Sequence, residues 1–193
     1  MKNSLFLFLF FILSSKTLAF SRYHQGLTFL KNGDKASAMT QFNGVPHGTI
    51  YFVKAINELS KLYFKENNWG KFFGHTFYYR NYLLSNKTQS NFNENILSLE
   101  ALALAKHCRY KEANSLIFNS LTLAKKIGRT GAKLLKVKDQ IKLLQEFDLL
   151  DKVSKKKKIS NLQKLKFRWQ LKEKILLKLK SPKDLHLDIK SQC

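Results

Sequence analysis

Residues 23–42 read YHQGLTFLKNGDKASAMTQF, residues 57–77 read NELSKLYFKENNWGKFFGHTF, and residues 97–118 read LSLEALALAKHCRYKEANSLIF. The three stretches align on one spacing. A small residue (Gly26, Ser60 or Ala101) is followed three positions on by a bulky one (Phe29, Tyr63 or Leu104). Seven after the small residue comes a turn-compatible one (Gly33, Asn67 or Cys108), and five beyond that Ala38, Phe72 or Ala113. Gly26 to Ser60 spans 34 residues and Ser60 to Ala101 spans 41. The extra seven fit the polar stretch Ser85–Asn95 (SNKTQSNFNEN), which reads as a longer loop.

The physical logic of this spacing is a helix hairpin. The small residue lets two helices approach, the bulky one fills the space between them, and the turn residue allows the chain to reverse. Ala38 and Ala113 are again small contact positions on the second helix, with Phe42 and Ile117 one helical turn further on. A hairpin of this kind cannot bury its apolar face alone, so copies are expected to stack. A helical bundle with coincidental spacing is the competing reading.

The pattern Gly26-x-x-Phe29-x-x-x-Gly33-Asp34-x-x-x-Ala38-x-x-x-Phe42 resembles the tetratricopeptide repeat family, and Arg109-Tyr110-Lys111-Glu112-Ala113 resembles that family's turn into its second helix. The resemblance covers residues 23–121. It departs from the family at Phe72, where a small residue is expected, and at Cys108 in the turn. No copy has the closing proline: Pro46 sits a few residues early and Pro182 lies outside. The resemblance implies a stack of helix pairs whose concave face binds other proteins, without intrinsic catalysis. Tyr51, Phe52, Tyr63, Trp69, Phe73, Tyr78 and Tyr79 are candidates for that groove, although most of them are expected in the core, because aromatic side chains bury the most area.

Composition points the same way. Among 193 residues there are 8 Gly and 2 Pro, too few for folds that turn at short intervals. The predicted fold class is all-α: a solenoid of helix hairpins over residues 20–121, a basic helical extension over 122–180, and a loose tail over 181–193. Two cysteines, Cys108 and Cys193, are too few for a disulfide framework, and both a mutual bond and an intermolecular one remain open.

The first 19 residues read as an export signal. Met1-Lys2 is followed by the apolar run Leu5–Leu13, and Thr17-Leu18-Ala19 offers a small-residue cleavage site. Lys16 closes the run well short of the ~20 apolar residues that span a bilayer. The expected localisation is exported, periplasmic or secreted. In such a compartment, Asn86-Lys87-Thr88 matches a glycosylation acceptor.

The chain carries 35 Lys and Arg against 13 Asp and Glu, a net +22. The excess is uneven: residues 20–121 hold 12 basic and 6 acidic side chains, and residues 122–193 hold 21 and 7. Leu134, Val137, Ile141 and Leu144 follow helical spacing, then Ser154-Lys155-Lys156-Lys157-Lys158 reads as a solvated connector or a fraying helix end. The lysines of this region can simply solubilise the outer face of terminal helices that cap the stack. Alternatively, Lys155, Lys156, Lys157, Lys158, Lys164, Lys166, Arg168 and Lys172 are candidate anion-binding residues, suited to anionic lipid or an envelope polyanion. Export and the absence of any zinc-finger, glycine-aromatic or helix-turn-helix pattern argue against nucleic acid.

Catalytic constellations are missing from the sequence. The histidines show no helical metal-ligand pairing, and there is no phosphate-cradling loop or nucleophile elbow. An acid/base pair would have to be assembled from distant residues such as Glu58 and Glu100. The expectation is therefore a non-enzymatic, cofactor-free interaction scaffold with an unnamed protein partner. A peripheral envelope module acting through the basic helices is the alternative.

Overall fold

A computed structural model describes the backbone of residues 2–85 and 91–156 and the side chains of residues 16–85, 91–146, 148 and 149. The described chain is all-helical. Its helices are α1 (Lys2–Lys31), α2 (Lys35–Asn43), α3 (Ile50–Lys65), α4 (Trp69–Ser85), α5 (Glu94–Lys106), α6 (Tyr110–Lys126) and α7 (Ala132–Lys156). Helix α1 pairs with α2, α3 with α4, and α5 with α6. The first helices of these pairs also meet in order, α1 on α3 and α3 on α5, and α7 closes against α5 and α6.

The three turn residues picked out by the alignment share one backbone geometry. Gly33, Asn67 and Cys108 lie at φ 82°, 55° and 61°. In each hairpin the next residue's N–H donates to the carbonyl of the bulky position: Asp34 to Phe29, Asn68 to Tyr63 and Arg109 to Leu104, all at 2.9 Å. The turn residue's own N–H reaches back three residues, to Leu30, Phe64 or Ala105, at 3.1, 3.3 and 3.0 Å. These paired bonds form a Schellman cap, which satisfies the last carbonyls of the first helix and needs a left-handed residue to close. Glycine takes that conformation freely and asparagine tolerates it, while Cys108 sits where a side chain costs about 1–2 kcal/mol. A fourth copy ends α6, where Gly128 lies at φ 72° and Arg129 N–H donates to Ala124 O at 2.8 Å. The alignment did not anticipate this last turn, which delivers the chain into α7.

Packing follows the same register. Gly26, Ser60 and Ala101 are all buried, and a Cβ on Gly26 would stand 2.5 Å from the Phe42 ring. Ala38, Phe72 and Ala113 are fully enclosed, and so are Thr76 and, nearly so, Phe42 and Ile117 one turn later. Phe72, a departure from the family pattern, is thus accommodated in the core. Of the bulky residues, Tyr63 and Leu104 are buried, while Phe29 in the outermost hairpin is only half-buried. Along α7, Leu134, Val137, Ile141, Leu144 and Asp148 form the inward stripe, and the Tyr110 hydroxyl donates to the Asp148 carboxylate to tie α6 to α7.

Several boundaries differ from the sequence expectation. The signal-like run and the first repeat helix form one continuous helix through Lys31, since no breaker separates them. Helix α7 runs to Lys156, so Ser154, Lys155 and Lys156 are helical, as a helix end rather than a connector requires, while Lys157 and Lys158 lie outside the described residues. The polar loop after α4 is anchored at its described end: Phe92 is buried, and the buried Tyr79 hydroxyl donates to Asn91 O (2.9 Å) and accepts from Asn93 N–H (2.6 Å). Asn93 then caps α5, its side chain accepting from Asn95 N–H at 2.9 Å. Cys108 is not a free thiol. Cys193, the Asn86-Lys87-Thr88 triplet and the 181–193 tail lie outside the described residues. Among the described residues, no helix is long and apolar enough to cross a membrane.

The glycines of α1 and α4 make opposite predictions. Replacing Gly26 by Ala should destabilise by about 1–2 kcal/mol, overpacking against Phe42 outweighing the gain in helix propensity. Gly74 of α4 has nothing within 4 Å of an added Cβ, so Gly74→Ala should stabilise by up to ~1 kcal/mol. Urea denaturation of both variants checks the contrast, and equal effects would contradict the assigned packing.

Candidate functional site

The hairpins meet first helix on first helix and also through α2 on α3 and α4 on α5, which leaves the second helices α2, α4 and α6 without close packing against one another. Two open grooves result, one on each flank of α4. The first is about 410 Å³, with walls from α2 and α4 over a floor of Phe52, Ile56 and Leu59 of α3. The second is about 550 Å³, with walls from α4 and α6 over Glu100 and Leu104 of α5. The repeat register relates them. Shifted by the 41 residues that separate Ser60 from Ala101, the α4 wall residues Lys71, Gly74, His75 and Tyr78 fall on Glu112, Ser115, Leu116 and Asn119 of α6. Leu59 in the first floor falls on Glu100 in the second.

That substitution sets the chemistry of the α4–α6 groove. Glu100 is only 2% exposed and lies 3.1 Å through Oε1 from Nε of Arg80, which is 40% exposed. The Thr76 hydroxyl is close enough to favour the charged form, but it donates to Phe73 O at 3.3 Å. Glu100 Oε2 accepts no hydrogen bond although it is buried in the groove wall. Burial pushes the Glu100 carboxyl above the usual range, and Arg80, Thr76 and Arg109 only partly pull it back.

The rest of the groove frames this carboxylate. Arg109 donates through Nε and Nη2 to both oxygens of Glu112 at 2.6 Å, and this exposed pair holds the Glu112 carboxyl below its ordinary range. The Arg80 guanidinium stacks over Phe77 (5.6 Å) and the Arg109 guanidinium over Phe73 (5.9 Å). Phe77 is 57% exposed and borders the groove. A buried acceptor, an aromatic wall and polar Ser115 and Asn119 opposite can hold a hydrogen-bond donor flanked by apolar groups.

The candidate residues distribute as follows. Gly26, Ala38, Phe42, Ser60, Tyr63, Ala101, Leu104, Ala113 and Ile117 are brought into the core between helices. Gly33 is exposed at its turn and Phe29 half-buried. Of the groove aromatics, Phe52, Tyr63 and Tyr79 are buried, Tyr51, Trp69 and Phe73 half-buried, and Tyr78 exposed. Phe73 borders the α4–α6 groove, and Phe52 and Tyr78 border the α2–α4 groove. Lys155 and Lys156 fall in the last turn of α7, while Lys157, Lys158, Lys164, Lys166, Arg168 and Lys172 lie outside the described residues. Glu58 pairs with Lys61 at 2.7 Å on α3 and shares no cavity with Glu100.

Arg80 and Phe77 were not singled out from sequence, and Glu100 was named without a role. One signal was available: Glu100 is the lone acid in the apolar helix run of residues 96–105. Comparison with family models, curated proteins and solved structures found no match to the chain. The tetratricopeptide resemblance therefore draws no support from known proteins, and the site stands on its geometry alone.

Removing Arg80 should leave the Glu100 charge buried and unpaired. Arg80→Ala is expected to cost about 2–3 kcal/mol at pH 7, less than the ~3–5 of a fully buried pair because the guanidinium is part-exposed. Since the folded-state pKa of Glu100 is raised, its contribution is present below the unfolded glutamate value and lost as pH rises through the folded one. Urea midpoints measured across that window should decline with pH in the native chain and decline less in Glu100→Gln.

Proposed function

We propose that the chain is an exported, non-catalytic scaffold that docks a segment of another protein in the α4–α6 groove. The observation that carries the reading is Glu100, a nearly inaccessible carboxylate whose Oε2 accepts no hydrogen bond in the wall of an open cavity. A buried acceptor left unmade costs roughly 1–3 kcal/mol, and a docked donor recovers that cost on binding. The occupant is a protein segment that presents an amide or ammonium donor between apolar side chains. The donor meets Glu100, and the apolar neighbours cover Phe73, Phe77 and Leu116. Extended segments and amphipathic helices both bind in grooves between helices in this manner.

Export rests on the residue 1–19 pattern. Among the described residues, a cut after Ala19 removes one buried α1 residue, Ala19 itself, and keeps Tyr23, Gly26, Leu27, Phe29 and Leu30, which α1 also contributes to the core and its margin. Removal of the leader therefore keeps the α1–α2 contact.

Two measurements test the two halves. Intact-mass analysis of the exported protein should give a chain beginning at Phe20, and an exported chain retaining Met1 would contradict the leader. A photo-crosslinking residue at Phe77 should capture a defined partner in cells, whereas one at Asn81, exposed on the outer side of α4, should not. Glu100→Gln is expected to reduce capture about tenfold, the equivalent of ~1.4 kcal/mol for one charge-assisted hydrogen bond. Equal capture at Phe77 and Asn81, or capture indifferent to Glu100→Gln, would rule the groove out.

A further inference from the structure

The α2–α4 groove has the opposite chemistry to its neighbour. Its floor is apolar, with Leu59 where the other groove has Glu100, and no carboxylate lines it. Its rim carries one cation, Lys71, together with Asn43, His47, His75 and Tyr78. Lys71 on α4 is exposed, and its ammonium lies 5.8 Å from the centre of the Tyr63 ring. His75 stacks on Tyr63 as well, its ring centroid 5.2 Å from that of Tyr63. Across the groove, Tyr78 hydroxyl and His47 Nδ1 are hydrogen-bonded at 2.8 Å, and His47 in turn lies against Phe52 at 4.6 Å. Burial and the neighbouring ammonium hold His75 below the ordinary histidine range, so near neutral pH it faces the cavity as an uncharged imidazole.

We propose that this cavity binds a monocarboxylate carrying an aromatic or short acyl body. The carboxylate is met by the Lys71 ammonium with donors from the rim, and the apolar body lies on Phe52, Ile56 and Leu59. Three features select this class. A cavity of about 410 Å³ falls in the range of small-molecule sites. The charge at the rim is of one sign, so an anion is favoured and a cation is repelled. The floor and walls offer aromatic faces, which reward a flat or flexible apolar group more than a hydrated inorganic anion. Position 112, which corresponds to Lys71 in the next repeat, is Glu, so the site is confined to this groove. The proposal is independent of docking in the α4–α6 groove, and each can fail alone.

The test is a chemical-shift titration of the full chain, reading the ring protons of His47 and His75, with 3-phenylpropionate, its neutral amide, inorganic phosphate and a short peptide ending in a phenylalanine carboxylate. The expected Kd for phenylpropionate is on the order of 1 mM, the scale for a ligand of this size. The amide and inorganic phosphate should bind at least about tenfold more weakly. Lys71→Gln should weaken phenylpropionate by about tenfold and Asn43→Glu, which places a carboxylate at the rim, by at least as much. Both side chains are exposed, so both variants should keep the fold. Stronger binding of the peptide than of phenylpropionate would assign the carboxylate to a protein C-terminus, and the reverse to a free acid. No shift at either histidine up to about 10 mM, roughly ten times the expected Kd, would overturn the proposal. So would equal binding of acid and amide, or binding indifferent to Lys71→Gln.

Discussion

The architecture depends on one backbone constraint, the left-handed residue that closes each first helix. At Gly33, Asn67 and Cys108 the chain takes positive φ, and the following N–H returns to the carbonyl of Phe29, Tyr63 or Leu104. This cap ends a helix and reverses the chain within three residues. Because the same bond is made three times in the same register, the small contact residues Gly26, Ser60 and Ala101 all land at the helix crossing. The hairpins can then stack first helix on first helix. Without the caps, the spacing of small and bulky residues would describe an amphipathic helix and nothing more.

The grooves follow from that stacking. Each hairpin packs both of its helices on the first helix of the next, α1 and α2 on α3 and then α3 and α4 on α5, so α2, α4 and α6 are left standing apart with concave floors beneath them. The repeat guarantees that two grooves exist but leaves their chemistry free. Leu59 and Glu100 occupy the same register position, as do Lys71 and Glu112, so one groove presents a cation over an apolar floor and the other a buried acid under two guanidinium groups. A buried polar group imposes a cost unless something satisfies it, and Arg80 approaches only one of the two Glu100 oxygens, as an ion pair in which its Nε makes no hydrogen bond. The residual unmet acceptor is the feature on which the proposed docking in this groove rests.

Much of this was legible in the sequence, and the part that was not has identifiable causes. The helices, the three hairpins and the turn residues follow from spacing that local sterics and packing enforce. Even Cys108 at a turn was marked by position alone, although its side chain disfavours the required φ. The fourth cap at Gly128 was missed because it joins two helices outside the repeat alignment, where neither Gly128 nor the nearby Gly131 has a register to mark it. Phe72 looked like a departure because sequence cannot show that its neighbours leave room for a ring. The groove chemistry was hidden for a different reason. Arg80 and Glu100 are 20 residues apart on different helices, and their meeting depends on the rotation of α4 against α5, which no pattern within one helix encodes. The aromatic residues divided between core and groove on the same basis: Phe52 and Tyr79 point inward, and Phe77, never singled out, flanks the opening.

The central claim is that Glu100 is a buried carboxylate with an acceptor left open for a partner. Its most direct test is a pH titration of the Glu100 side-chain carboxyl carbon by NMR in the unliganded full chain. The account predicts a midpoint above the ordinary glutamate range, falling when a partner segment occupies the α4–α6 groove. A midpoint at or below the ordinary glutamate range in the free protein would contradict it, because the carboxylate would then be hydrated or already fully hydrogen-bonded.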